Sequence, residues 1–163
     1  MLRSFCALAL GLAFAAQGFA ADEKIVRIVN VETGKVLAVA DDSEESGARA
    51  VLAKADPDNK AQQWEIKKDK KDKKAFALVN VKSGKVLDVN EDSKDEGAAI
   101  IIWDAKDEDN DNQRWSWEEK DKERRIVSKS SELVLDVDDE GRIVQKKPDE
   151  KAKKQLWKIE KVK

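Results

Sequence analysis

The tripeptide Gln-X-Trp occurs three times, as Gln62-Gln63-Trp64, Gln113-Arg114-Trp115 and Gln155-Leu156-Trp157. Each time it closes a segment that is similar to the other two. The three copies run over residues 25–67, 74–119 and 125–161, and the third is the shortest. Val29-Asn30-Val31 recurs as Val79-Asn80-Val81, and Thr33-Gly34-Lys35-Val36-Leu37 as Ser83-Gly84-Lys85-Val86-Leu87. Leu87-Asp88-Val89 recurs as Leu135-Asp136-Val137. Such self-similarity constrains the fold strongly. A unit of this size cannot bury its own apolar face, whereas three stacked together can share one core.

Within each copy the pattern reads as short strands. Residues 25–31 and 35–39 are rich in β-branched side chains and flank Glu32-Thr33-Gly34, a tight loop whose glycine can take positive φ. Copy two has Lys82-Ser83-Gly84 there; copy three has Lys129-Ser130-Ser131-Glu132, which predicts a different turn. A third strand follows Gly47, Gly97 or Gly141, and a fourth carries the Gln-X-Trp. No segment keeps a helical period. Twelve short strands in three units predict an all-β architecture that closes its edges.

The N-terminal residues are set apart. Arg3, the apolar run 4–16 and the small residues at Gly18 and Ala20 read as a signal peptide over 1–20, leaving 21–163 as a single domain. The apolar run is short for a membrane span and charge begins at Asp22, so no stable membrane insertion is expected. The chain is expected to be exported, to the periplasm or the external medium. Its lone cysteine, Cys6, lies inside that run, so no disulfide is expected in the folded domain.

Charged residues make up 40% of the chain, yet 32 basic and 34 acidic side chains nearly cancel. That balance argues against a nucleic-acid partner. Periodic Val, Leu and Ile, with five Trp, argue against disorder. With no His and no Tyr, only carboxylates and amines are left for acid–base chemistry.

Three copies of about 45 residues, each ending in Gln-X-Trp, resemble the ricin-B-type lectin family of β-trefoils. The resemblance covers nearly all of residues 25–161. It implies three four-stranded units around a pseudo-threefold axis, forming a six-stranded barrel capped by three hairpins. It also implies where a sugar would sit: an Asp in the Leu-Asp-Val strand, an aromatic ending the third strand, and an Asn before the Gln of Gln-X-Trp. Copy two has all of these in Asp88, Trp103, Asn112 and Gln113. It departs from the pattern at Ile101, where family members often place a polar residue. Copy one has Ala38, Ala53 and Ala61 at these positions. Copy three keeps Asp136 and Gln155 but has Lys146 and Lys154 in place of the aromatic and the Asn. Gln-X-Trp itself is a packing device and identifies a fold, not a ligand.

Two further features bear on function. The stretch Lys67 to Lys74 (KKDKKDKK) and its counterpart 118–125 read as solvated loops or hairpin tips, their basic charge offset by interleaved acids. Asp107, Asp109, Asp111 and Glu118 fall on the spacing of a calcium-binding loop, but Asn112 stands where that loop needs Gly and the flanks read as strands. No nucleophile–base motif is present and no carboxylate pair stands out. The expectation is therefore a monomeric, lectin-like, non-enzymatic module without cofactor or bound metal, binding a glycan through copy two. The alternative is a trefoil scaffold for protein contacts outside the cytoplasm.

Overall fold

The computed structural model describes residues 25–162; the expected signal peptide over 1–20 lies outside them. Copy one contributes β1 (Ile25–Asn30), β2 (Val36–Val39), β3 (Ala50–Ala53) and β4 (Trp64–Lys68). Copy two contributes β5 (Ala75–Asn80), β6 (Val86–Val89), β7 (Ile100–Trp103) and β8 (Trp115–Lys120). Copy three contributes β9 (Glu123–Ser128), β10 (Val134–Val137), β11 (Ile143–Lys146) and β12 (Trp157–Lys161). Short 3-10 turns link some of these strands. Among the described residues no helix is long and apolar enough to cross a membrane.

The first and last strands of each copy form a closed ring. All neighbours are antiparallel: β1 pairs β4, β4 pairs β5, β5 pairs β8, β8 pairs β9, β9 pairs β12, and β12 returns to β1. Closure leaves this six-stranded barrel without an edge. The hairpins β2–β3, β6–β7 and β10–β11 cap it, tied together by the bridges Arg49–Ile101, Val51–Arg142 and Ala99–Val144. This is a β-trefoil.

Alternation within the hairpins decides which residues enter the core. Leu87, Val89, Ile100 and Ile102 point inward and join one apolar cluster with Leu37, Val39, Ala50, Leu135, Val137 and Ile143 from the other copies, while the counterpart of Ile102 in copy three is the buried polar Gln145. The three Gln-X-Trp tryptophans, Trp64, Trp115 and Trp157, are completely buried in it. Trp64 Nε1 donates to Leu37 O at 3.0 Å and Trp115 Nε1 to Leu87 O at 3.1 Å. The symmetry fails at Trp157, whose Nε1 is buried with no acceptor.

The expected difference in copy three's first turn is corrected. Glu132 takes φ +61°, beside +68° at Gly34 and +70° at Gly84, and its N–H reaches Ser128 O just as Gly34 N reaches Asn30 O. The closed barrel imposes the turn, and the missing glycine is replaced by a strained acid.

Candidate functional site

β6 and β7 pair in the register Val86–Trp103, Leu87–Ile102, Asp88–Ile101 and Val89–Ile100. With Leu87 and Ile102 committed to the core, Val86, Asp88, Ile101 and Trp103 share the outer face. Asp88 and Trp103 are then diagonal neighbours on adjacent strands, the separation at which long side chains flank a common space.

The Gln of Gln-X-Trp is a loop clamp in every copy. Gln62 Oε1 accepts from Asp56 N while its Nε2 donates to Lys54 O. Gln113 does the same with Lys106 N and Asp104 O, and Gln155 with Asp149 N and Lys147 O. In copies two and three that Nε2 also reaches the acid of the Leu-Asp-Val strand, Asp88 Oδ2 at 2.8 Å and Asp136 Oδ2 at 2.9 Å. Copy one has Ala38 there and no acid to hold.

Copy two adds a second donor. A 3-10 turn over Asp111–Gln113 brings Asn112 beside Gln113, and Asn112 Nδ2 donates to Asp88 Oδ1 at 2.9 Å and to Val89 O at 3.2 Å. Asp88 is only 3% exposed. Burial raises its carboxyl pKa above the usual range, against the hydrogen bonds from Gln113 and Asn112 and the nearby Lys106 ammonium.

Sequence reasoning missed Lys106. Its Nζ donates to Asn112 Oδ1 at 3.1 Å, so an ammonium stands over the amide face of the site. The available signal was its place in the loop between Trp103 and Asn112. Also unforeseen was the anchoring behind Trp103. Asp104 accepts from Lys85 Nζ at 2.7 Å and from Ser46 Oγ at 2.8 Å, and Lys85 holds its carboxyl below the usual range. Trp103 is 42% exposed, and its ring lies against copy one, where a Cβ added to Gly47 would stand 3.6 Å from Cζ3. Gly47, at φ +93°, thus serves both the turn and the ring's seat.

The other copies differ in geometry as well as sequence. In copy three Asp136 turns one oxygen to its own strand, accepting from Val137 N at 2.6 Å. Lys154 turns to Asp139 at 3.2 Å and Lys146 is exposed. The acids on calcium-loop spacing are drawn apart: Asp111 pairs with Lys129, and Glu118, on β8, pairs with Arg125 and Lys120. Among the described residues no three His, Cys, Asp or Glu side chains stand together as a metal site.

The description "Ricin-type beta-trefoil lectin domain" matches residues 74–163, and "Ricin-type beta-trefoil lectin domain-like" matches 15–103. The chain belongs to the ricin-type β-trefoil lectin domain family. No curated protein matches it. Among solved structures, the designed threefold-symmetric protein ThreeFoil is 26% identical with a TM-score of 0.76, over 83% of this chain and 97% of its own. An exo-β-1,3-galactanase from Clostridium thermocellum is 30% identical with a TM-score of 0.78, over 88% of this chain but only 31% of its own. The Rhizoctonia solani agglutinin, 19% identical with a TM-score of 0.75, shares the fold over 88% of this chain and 99% of its own. Asp88, Asn112 and Gln113 all fall within residues 74–163, which match the ricin-type β-trefoil lectin domain.

Proposed function

We propose that the chain is an exported, non-enzymatic carbohydrate-binding module whose sugar site lies in copy two. The observation that carries the reading is the buried Asp88 carboxylate held by Asn112 and Gln113 on the face that also bears the exposed Trp103. Neither other copy combines an acid, an amide pair and an aromatic. Trp103 offers a ring for the C–H face of a pyranose, while Asp88, Asn112 and Lys106 offer an acceptor, an amide and an ammonium for adjacent hydroxyls. Ile101, opposite Asp88, adds no polar contact. A single open site of this size binds a monosaccharide with a Kd of about 1 mM, because little surface is covered.

Titration calorimetry with galactose and with galactan and xylan fragments tests the proposal. Millimolar binding that disappears in Asp88→Ala supports it; no heat with any of these sugars overturns it. The alternative, a scaffold for protein contacts, draws on copies one and three, which keep the trefoil frame without the full set. It would be favoured by specific capture of one protein that free sugar does not displace.

A further inference from the structure

The β4–β5 hairpin carries the stretch KKDKKDKK at its tip, and folding changes its charge balance. The two acids are used within the protein. Asp69 accepts from the Lys71 and Asp72 backbone N–H groups through Oδ1 and from Arg114 Nε at 2.8 Å through Oδ2. The turn's N–H groups and Arg114 hold its carboxyl well below the usual range, so it stays ionised and engaged. Asp72 accepts from Lys74 N and faces Lys129 at 3.8 Å. The lysines are left without them. Lys68, Lys70, Lys71, Lys73 and Lys74 are all exposed, and none makes an ion pair with an acid among the described residues. In a chain whose net charge is −2, this is a strong local reversal.

The strip borders a groove of about 540 Å³ lined by Asp72, Lys73, Lys74, Ala75, Ser116, Trp117 and Lys129. Trp117 is half-buried, its ring stacked on Phe76 at 4.3 Å between centroids and overlain by the Arg124 guanidinium at 5.3 Å, which fixes it as a rigid wall. The groove therefore joins three ammonium groups to a hydroxyl, an indole and one carboxylate, Asp72, which is engaged by Lys74 N and Lys129. It is built from β5 and β8 of the barrel, whereas the Asp88 site is built from β6, β7 and the loop before β8.

We propose that this groove and the adjoining lysine strip form a second binding surface for an acidic polysaccharide, a chain bearing a carboxylate on each sugar. The lysines would pair with successive carboxylates, while the part of Trp117 that lines the groove, its ring held between Phe76 and Arg124, and Ser116 would contact one sugar and its hydroxyl. The inference is independent of the Asp88 site. A polysaccharide suits the surface better than a nucleic acid, because the basic strip is local and the rest of the chain is acidic on balance.

The test uses the full chain in affinity electrophoresis and calorimetry with polygalacturonate, neutral galactan, polyglutamate and a short DNA duplex. Polygalacturonate is expected to bind. Its binding should weaken about 10-fold or more in the combined variant Lys70→Gln, Lys71→Gln, Lys73→Gln, Lys74→Gln, and again on raising NaCl from about 0.05 M to about 0.5 M. All four side chains are exposed, so the variant keeps the fold, which circular dichroism confirms. Asp88→Ala should leave polygalacturonate binding intact, so this inference and the copy-two reading fail separately. Unchanged affinity in the combined variant overturns the proposal. So does loss of binding in Asp88→Ala, or polyglutamate or DNA binding as tightly as polygalacturonate.

Discussion

Replacing Asp88 with Ala separates recognition from stability. The substitution removes two hydrogen bonds to an ionised acceptor, from Asn112 Nδ2 at 2.9 Å and Gln113 Nε2 at 2.8 Å. Bonds of that kind contribute about 1.5–3 kcal/mol each, so the gross loss is about 3–6 kcal/mol. Two features reduce it. Neither donor is orphaned, since Asn112 Nδ2 keeps Val89 O at 3.2 Å and Gln113 Nε2 keeps Asp104 O at 2.9 Å. The buried charge also disappears, and its desolvation is the largest influence on Asp88. The expected net destabilisation is about 1–2 kcal/mol, a fall in Tm of several degrees for a domain of this size. Sugar binding, by contrast, should vanish, because Val86, Ile101 and Trp103, which share that face of the hairpin, carry no acceptor to replace the carboxylate. Thermal unfolding and calorimetry on the same preparation measure both, with Asp136→Ala as the control that should bind like the parent protein. Undiminished sugar binding in Asp88→Ala, or loss of binding in Asp136→Ala, would refute the assignment.

Acidification should act through the same group. The raised pKa of Asp88 means that it protonates above the usual Asp value of about 3.9, and sugar affinity should begin to fall at that higher pH. The stability sign is opposite: a raised pKa adds stability below the unfolded value and loses it as pH rises through the folded one, so the parent should gain on Asp88→Ala in urea melts as pH falls. Trp157→Phe should cost about 1–2 kcal/mol less than Trp115→Phe in denaturant unfolding, because Trp115 gives up a bond to Leu87 O while Trp157 has an unpaired N–H to lose. Equal costs would contradict the asymmetry. Glu132→Gly should raise stability by about 0.5 kcal/mol: relief of the left-handed strain, about 1–2 kcal/mol, exceeds glycine's added chain entropy. A lowered Tm would show that Glu132 is held by something other than its turn.

How much of this could be read from the chain varied with the range of the interaction. The threefold recurrence of Gln-X-Trp with the shared Leu-Asp-Val and Val-Asn-Val runs determined the trefoil, because a unit with one apolar face has few ways to bury it. Residue types in register also picked out copy two over copies one and three. Tertiary structure decided the rest. That the Asp88 carboxylate is buried, that Lys106 reaches Asn112, and that Trp103 leans on Gly47 of another copy all depend on loops brought together across the hairpin caps. The turn at Glu132 kept its shape against local preference because the closed barrel left its ends no other path. The same holds for the lysine strip. In the sequence, Asp69 and Asp72 interrupt it and offset part of its charge; in the fold, Asp69 turns to Arg114, far along the chain, and the lysines are left facing solvent. The Gln-X-Trp triplets thus specify the frame through local, repeated packing. What that frame presents is set by side chains distant in sequence, whose contacts exist only once the barrel has closed.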